Sequence, residues 1–397
     1  MFESVEWFEG DPILSLVEDF KQDVRKQKVN LSIGVYCDAK GRLPLLDSVK
    51  QAQEHLISQH IPCAYLPMEG LAEFRKATQT LIFGEDCIAL KENRVQTVQT
   101  VAGSGALRVG ANFLHKYFPD SRVYVSAPTW GNHLATFRAA GFVVEEYPYY
   151  DPQTGRVKFK ELLEFLKTLS ERSIVLLQPC CHNPTGTDLS HEQWDELLPL
   201  IQEKGLIAFM DMAYQGLGEG LEVDAYAIRR AAYLGLTFIL STSFSKNMAL
   251  YGERVGALSV VGKTEEEAKR VFGQFQFAIR RLYSSPPFHG GHVASIVLNT
   301  PKLYESWMQE VAAMRDRIQQ MRHRLYQNLT QVLPCKDFSY LIQQKGLFSF
   351  TGLSQEKVKF LRKKFAIYLV GNGRICIAAL NEDNLDYVAH AFAEALE

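Results

Sequence analysis

Seven short β-rich runs, separated for the most part by helix-patterned stretches, occupy residues 95–261 and limit the possible folds more than any other feature. The runs are Val95–Val101, Arg122–Ser126, Phe142–Tyr147, Ser173–Gln178, Leu206–Asp211, Thr237–Thr242 and Val255–Val261. Helical spacing fills most of the intervals, as in Phe159–Leu169 and His191–Glu203. Parallel neighbours need crossover connections, and helices supply them. The alternation therefore predicts an α/β fold with a mostly parallel, seven-stranded sheet between helices. Ligands of such sheets bind outside the carboxyl ends of the strands, so residues at those ends are the candidates for function.

The pattern changes after Pro301. Leu303, Trp307, Val311, Met314, Ile318, Met321, Leu325, Leu329 and Val332 recur every three or four residues until Pro334. This predicts one long amphipathic helix over about residues 302–333, a bridge between domains. Residues 335–397 carry further strand candidates, Leu347–Phe350 and Ile375–Ala379, and read as a smaller α+β unit. The net charge of −2 argues against nucleic acid or an anionic membrane as the main partner. No apolar run approaches the roughly 20 residues that span a bilayer, and the acidic start, "MFESVEWFEGDP", lacks the apolar core of a signal peptide. Seven scattered cysteines, only Cys180 and Cys181 adjacent, are the usage of a reducing compartment, so the cytoplasm is expected.

The strand ends carry a particular set of side chains. Gly103-Ser104-Gly105 follows the first run and opens a helix, whose free N–H groups suit an anion. The full G-x-G-x-x-G and its acidic partner are missing, which disfavours a nicotinamide. "PCCHNPTG" follows the fourth run, with Asn183 at a turn forced by Pro184. Cys180, Cys181 and His182 are adjacent and cannot easily wrap one tetrahedral ion, and no second ligand cluster accompanies them, so no metal is expected. Asp211 ends the fifth run, with Tyr214 beyond it. Lys246 follows the sixth, with Ser243 and Ser245 before it and Arg254 after it. Singly, each suits a turn or a surface. Together on one sheet edge they are the parts that hold pyridoxal 5'-phosphate (PLP). The lysine meets the aldehyde, the aspartate the ring nitrogen, Asn and Tyr the phenolate oxygen, and the helix N-terminus, serines and arginine the phosphate.

"NPTG", "DMAYQG", "SFSKNMALYGERVGA" and "YSSPP" resemble the class I aminotransferases, the fold type I PLP enzymes, in their aspartate/aromatic branch. The likeness runs from "GDPIL" at 10–14 to "GRICIAAL" at 373–380. It implies an N-terminal arm (1–12), a small domain from both chain ends (13–44 and 313–397) and a large PLP domain (45–312). It makes Lys246 the Schiff-base lysine and proton shuttle, Asp211 the partner of the pyridinium, and Asn183 and Tyr214 the partners of the phenolate. Gly103, Ser104, Ser243, Ser245 and Arg254 would bind phosphate, joined by Tyr65 from a neighbouring subunit. Trp130 would stack on the ring and His133 support Asp211. Arg374 would grip the substrate α-carboxylate with a bidentate fork, near the backbone of Gly34, with Phe348 beside it. Arg280 of a partner subunit would meet a distal carboxylate. Shared sites imply an obligate homodimer.

The residues expected to line the substrate depart from the pattern of strict aspartate enzymes. Cys37 and Leu43 stand where such enzymes carry Lys and Thr, Ser285 replaces Asn, Ser104 replaces Thr, and "YLPMEG" at 65–70 looks like the aromatic branch. Fewer charged and polar groups lower the cost of burying a phenyl or indole ring. The resemblance therefore implies ping-pong transamination of Phe, Tyr and Trp with 2-oxoglutarate, with aspartate and glutamate also accepted. An aspartate enzyme with little aromatic activity is the alternative. A PLP-dependent lyase or decarboxylase has less need of Arg280, and an amino-acid-sensing domain of a transcription regulator needs a DNA-binding module that this sequence does not display.

Overall fold

The computed structural model describes residues 2–7 and 10–396, so positions 1, 8 and 9 of the expected N-terminal arm lie outside the described residues. The chain divides into two compact units, residues 44–316 and residues 1–43 with 317–397.

The unit of residues 44–316 holds the seven-stranded sheet. Its strands are β1 (Val95–Val101), β2 (Val123–Ala127), β3 (Val144–Pro148), β4 (Ile174–Leu177), β5 (Ile207–Met212), β6 (Phe238–Ser243) and β7 (Val255–Val261). They are the seven runs expected from the sequence, with small shifts at their ends. The order across the sheet is β1-β7-β6-β5-β4-β2-β3. All neighbours are parallel except those of β7, which is antiparallel to both β1 and β6. β4 is Ile-Val-Leu-Leu with every residue buried, and β7 is buried throughout. Such unbroken apolar runs belong to strands covered on both faces. Helices α1 (Ala102–Tyr117), α2 (Gly131–Ala139) and α3 (Glu265–Leu282) help to cover them. Phe209, Ile239 and Leu258 of the sheet share a core with Leu107 and Leu114 of α1, Phe137 of α2, and Phe275 and Ile279 of α3. Each such side chain contributes about 1.5–3 kcal/mol by leaving water.

The orientation of β7 decides which of its residues reach the functional edge of the sheet. Because it runs against the others, its first residue lies at the edge where the parallel strands end. Val255 pairs with Val101, and Gly256 lies between Thr100 and Ser243. A side chain at Gly256 has no space: its Cβ would stand 2.4 Å from the carbonyl carbon of Ala102 and 2.7 Å from the oxygen of Thr242.

In the other unit, Val29–Asn30 pairs in parallel with Ile367–Tyr368, and Phe348–Phe350 pairs antiparallel with Arg374–Cys376. The expected strand Ile375–Ala379 is corrected: it starts at Arg374, ends at Cys376, and Ile377–Ala379 is a turn of 3₁₀-helix. Its partner strand is three residues long, so pairing stops there. The long helix spans Pro301–Val332 and runs through the boundary at residue 316. Its apolar seam is buried from Leu303 to Leu329, whereas Val332, the last residue, is half exposed.

Gly256→Ala is expected to destabilise the protein by about 1–3 kcal/mol, because backbone on both sides must move to admit the methyl group. Thermal unfolding checks this; an unchanged melting temperature contradicts the packing.

Candidate active site

The edge where the parallel strands end gathers eleven of the residues expected to act on a cofactor: Gly103, Ser104, Trp130, His133, Asn183, Asp211, Tyr214, Ser243, Ser245, Lys246 and Arg254. β1 ends at Val101 and α1 begins at Ala102, so Gly103 and Ser104 lie in its first turn. Arg254 arrives beside them at the start of β7. Its carbonyl oxygen accepts from the Ala102 N–H (3.0 Å), and its Nη2 donates to Ser104 Oγ (3.4 Å). Both Ala102 and Arg254 take left-handed backbone conformations, φ 56° and 55°. Ser243 at the end of β6 donates its hydroxyl to Ser245 Oγ (3.1 Å) and accepts from the Ser245 N–H (3.3 Å). Free helix N–H groups, small hydroxyls and a guanidinium thus meet within one turn, a composition suited to a phosphate dianion.

Further along the edge Asp211, next to last in β5, is buried and paired. His133 Nε2 lies 2.9 Å from Asp211 Oδ2, and His133 Nδ1 lies 2.8 Å from Thr129 Oγ1. Against an ionised carboxylate Nε2 is the donor, which leaves Nδ1 of a neutral imidazole to accept the Thr129 hydroxyl. Trp130 packs edge-on to His133, ring centroids 5.3 Å apart. Asn183 Nδ2 donates to the Tyr214 hydroxyl over 3.4 Å, and Lys246 Nζ stands 5.3 Å from the centroid of the Tyr214 ring. The loop after Lys246 is pinned from below: the fully buried Trp307 donates Nε1–H to the Asn247 carbonyl (2.8 Å), and Asn247 Nδ2 donates to the Gln215 carbonyl (3.2 Å).

Tyr65, Arg280 and Ser285 come together elsewhere. They line a concavity of about 560 Å³ with Met68 and Glu69, and none of Lys246, Asp211 or Asn183 lines it. Tyr65 is 96% exposed, unusual for a large aromatic side chain.

In the unit of both chain ends, Arg374 is buried with its guanidinium 4.3 Å from the centroid of Phe348, and its Nη2 donates to the Ser32 carbonyl (2.6 Å). Gly34 abuts the same ring, since a Cβ there would stand 2.6 Å from it. Cys37 donates its N–H to the Ala378 carbonyl (3.1 Å), and burial pushes its thiol pKa up. Leu43 is exposed in this unit.

Five supports went unseen in the sequence: Thr129, Gln178, Trp307, Asp188 and Asp224. Asp224 places one carboxylate beside Cys180 and Cys181, its oxygen and both thiols within 4.8 Å of one another. That carboxylate accepts three backbone N–H groups, from Gly216 (2.8 Å), Gly218 (3.0 Å) and Glu219 (2.8 Å), so its oxygens clamp the loop after Tyr214. Asp188 holds the other loop in the same way, accepting from the N–H groups of Cys181 (2.7 Å) and His182 (2.8 Å).

His182 closes the network between Ser126 Oγ and Thr185 Oγ1, each 2.8 Å away, stacked on Tyr149 at 4.2 Å. Burial, then the nearby His133, lowers its pKa from an ordinary 6.5 to about 3. The unfolded chain therefore binds a proton that the folded one refuses, and stability is lost as pH falls from about 6.5 toward about 3. His182→Gln is expected to flatten this part of a melting-temperature profile; an equally steep profile contradicts the assignment.

The chain matches the aminotransferase class I and II family over residues 26–392. It is 52% identical over 397 residues to the aromatic-amino-acid aminotransferase of Escherichia coli (strain K12), covering 100% of both chains. A psychrophilic aromatic amino acids aminotransferase from Psychrobacter sp. B6, cocrystallised with aspartic acid, is 52% identical, with a TM-score of 0.98 and 100% coverage of both. An aromatic-amino-acid aminotransferase from Burkholderia pseudomallei, covalently bound to pyridoxal phosphate, is 45% identical with the same TM-score and coverage. Sequence, sheet and strand-end chemistry agree, and the chain belongs to the class I and II aminotransferases.

Proposed function

We propose that this chain transaminates Phe, Tyr and Trp with 2-oxoglutarate as amino acceptor, accepts aspartate and glutamate as well, and does so with PLP by ping-pong kinetics. The observation that carries the reading is the buried His133–Asp211 pair, backed by Thr129, on the same sheet edge as Lys246 and the cluster of Ser104, Ser243 and Arg254. A buried carboxylate backed by an imidazole fits a protonated ring nitrogen, and the cluster fits a phosphate, so the donor set suits the cofactor at both ends. When bound, PLP supplies an aldehyde that takes up an amine and a ring that draws electrons from the adjacent carbon.

The chain's own groups do the rest. Lys246 Nζ would hold the cofactor through its aldehyde and, as a free amine, would accept and return the substrate's α-proton. Asp211 keeps the ring nitrogen protonated and His133 fixes its carboxylate. Asn183 and Tyr214 donate to the phenolate oxygen. Gly103, Ser104, Ser243, Ser245 and Arg254 hold the phosphate, and Trp130 covers the ring. Arg374 takes the α-carboxylate with its planar fork, aided by the backbone of Gly34 and braced by Phe348. Tyr65 and Arg280 act across a homodimer interface, each serving the other subunit's site. Their grouping in a separate surface concavity and the exposure of Tyr65 support this. Cys37, Leu43 and Ser285 present fewer charged and polar groups to the substrate side chain, which lowers the cost of burying an aromatic ring, while Arg280 answers a distal carboxylate. The aspartic acid in the crystals of the Psychrobacter enzyme favours keeping the second substrate class. We place the enzyme in the cytoplasm, in line with seven cysteines of which none is in a disulfide; no helix among the described residues is long and apolar enough to cross a membrane.

Lys246→Ala is expected to lower turnover by about four orders of magnitude, and a variant within tenfold of the native rate overturns the reading. Arg280→Ala is expected to lower kcat/KM for aspartate by about 10²–10³-fold, the scale of losing one partner of a desolvated ion pair, and for phenylalanine by less than about tenfold. Equal losses mean that Arg280 does not discriminate. Aspartate turnover without phenylalanine turnover in the native enzyme makes it an aspartate aminotransferase.

A further inference from the structure

Gln178 is the first residue after β4, at the end of an otherwise apolar run, and is buried. Its amide closes two hydrogen bonds on one residue. Gln178 Oε1 accepts from the Asn183 N–H over 2.9 Å, and Gln178 Nε2 donates to the Asn183 carbonyl oxygen over 3.1 Å. These contacts fix the orientation of the amide, for a flipped side chain sets oxygen against oxygen and N–H against N–H. A primary amide thus meets both main-chain groups of Asn183 as a neighbouring strand would. Water has little access to replace it, since both residues are buried.

We propose that Gln178 is a positioning residue for the reaction: through this two-point clamp it aims the Asn183 side chain at the cofactor's phenolate oxygen. The inference rests on the role proposed for Asn183 as a donor to that oxygen. The main chain just before Asn183 is held separately, by Asp188 on the N–H groups of Cys181 and His182. Neither contact touches the Asn183 backbone, so Gln178 alone among these side chains restrains its N–H and carbonyl. Asn183 Nδ2 sits 3.4 Å from the Tyr214 hydroxyl, a long contact that does little to aim it. Small displacements of a group that must meet a reacting centre are costly in rate, which makes the clamp functional as well as structural.

The test follows the visible absorption of the PLP-loaded enzyme as pH is varied, in Gln178→Glu, Gln178→Met, Asn183→Ala and the Gln178→Met/Asn183→Ala double variant. Glu keeps the size and the acceptor but removes the donor; Met removes both polar ends without adding charge. A phenolate oxygen that receives a weaker hydrogen bond holds the proton it shares more tightly, so the midpoint is expected to rise. The expected rise is about half a unit to one unit in each Gln178 variant, the scale of one weakened hydrogen bond. The double variant is expected to match Asn183→Ala alone, because a clamp has nothing left to aim; a merely structural role does not produce this coincidence. Should Glu fail to fold, by circular dichroism and thermal melting, Met carries the comparison, and Glu carries it in the reverse case. Shifts that add independently in the double variant overturn the inference, as do Gln178 variants that leave the midpoint in place while Asn183→Ala moves it. An Asn183→Ala midpoint equal to the native one overturns instead the reading of Asn183 beneath it.

Discussion

A carboxylate buried at the end of a strand is costly unless a partner answers its charge, and the active-site edge is built around that requirement. Asp211 is 8% exposed and His133 only 1%, and their hydrogen bond of 2.9 Å lets an ionisable side chain sit inside the sheet edge. Thr129 orients the imidazole from the turn after β2. The pair therefore ties the end of β5 to the turn leading into α2, and under the role proposed for Asp211 it offers an acceptor to a cationic ring nitrogen. A cofactor that accepts electrons through a protonated ring needs this kind of partner, and an exposed aspartate meets the need less well.

The phosphate cradle proposed here lies at a fixed distance from that pair, and β7 brings its arginine there by direction. A seventh parallel strand would carry Arg254 to the opposite edge of the sheet. Run antiparallel between β1 and β6, the strand begins beside the first turn of α1 and the end of β6. Gly256 admits the close approach, and Ala102 and Arg254 accept left-handed conformations around it. Ion-binding groups are thus set by backbone register, which is stiffer than side-chain packing. The loops that follow β4 and β5 are held by carboxylates and amides that meet main-chain N–H groups: Asp188, Asp224 and Gln178.

The sheet was legible in the sequence because its strands are buried on both faces and read as unbroken apolar runs; β4 and β7 are the plainest. The strand-end residues were legible because their types are unusual there: Asp211 after an apolar strand, Lys246 between hydroxyls, Asn183 before proline. The supports were not. Gln178 looks like any polar residue ending a strand, Asp224 like a loop residue, and Trp307 like one more apolar position on a long helix. Their partners stand far away in sequence, or depend on a turn whose shape only the folded chain fixes. The antiparallel setting of β7 was hidden for the same reason, since periodicity reports burial and not direction. The end of the expected strand at Ala379 failed differently. Apolar residues continue, but pairing stops where Phe348–Phe350 stops.

The most direct measurement mixes the PLP-loaded enzyme with L-phenylalanine or L-aspartate in single-turnover amounts and follows the visible absorption of the cofactor. The account predicts that each amino acid alone converts the cofactor to the pyridoxamine form, and that 2-oxoglutarate then restores the original spectrum. A spectrum that neither amino acid changes, or a protein that retains no PLP, contradicts it.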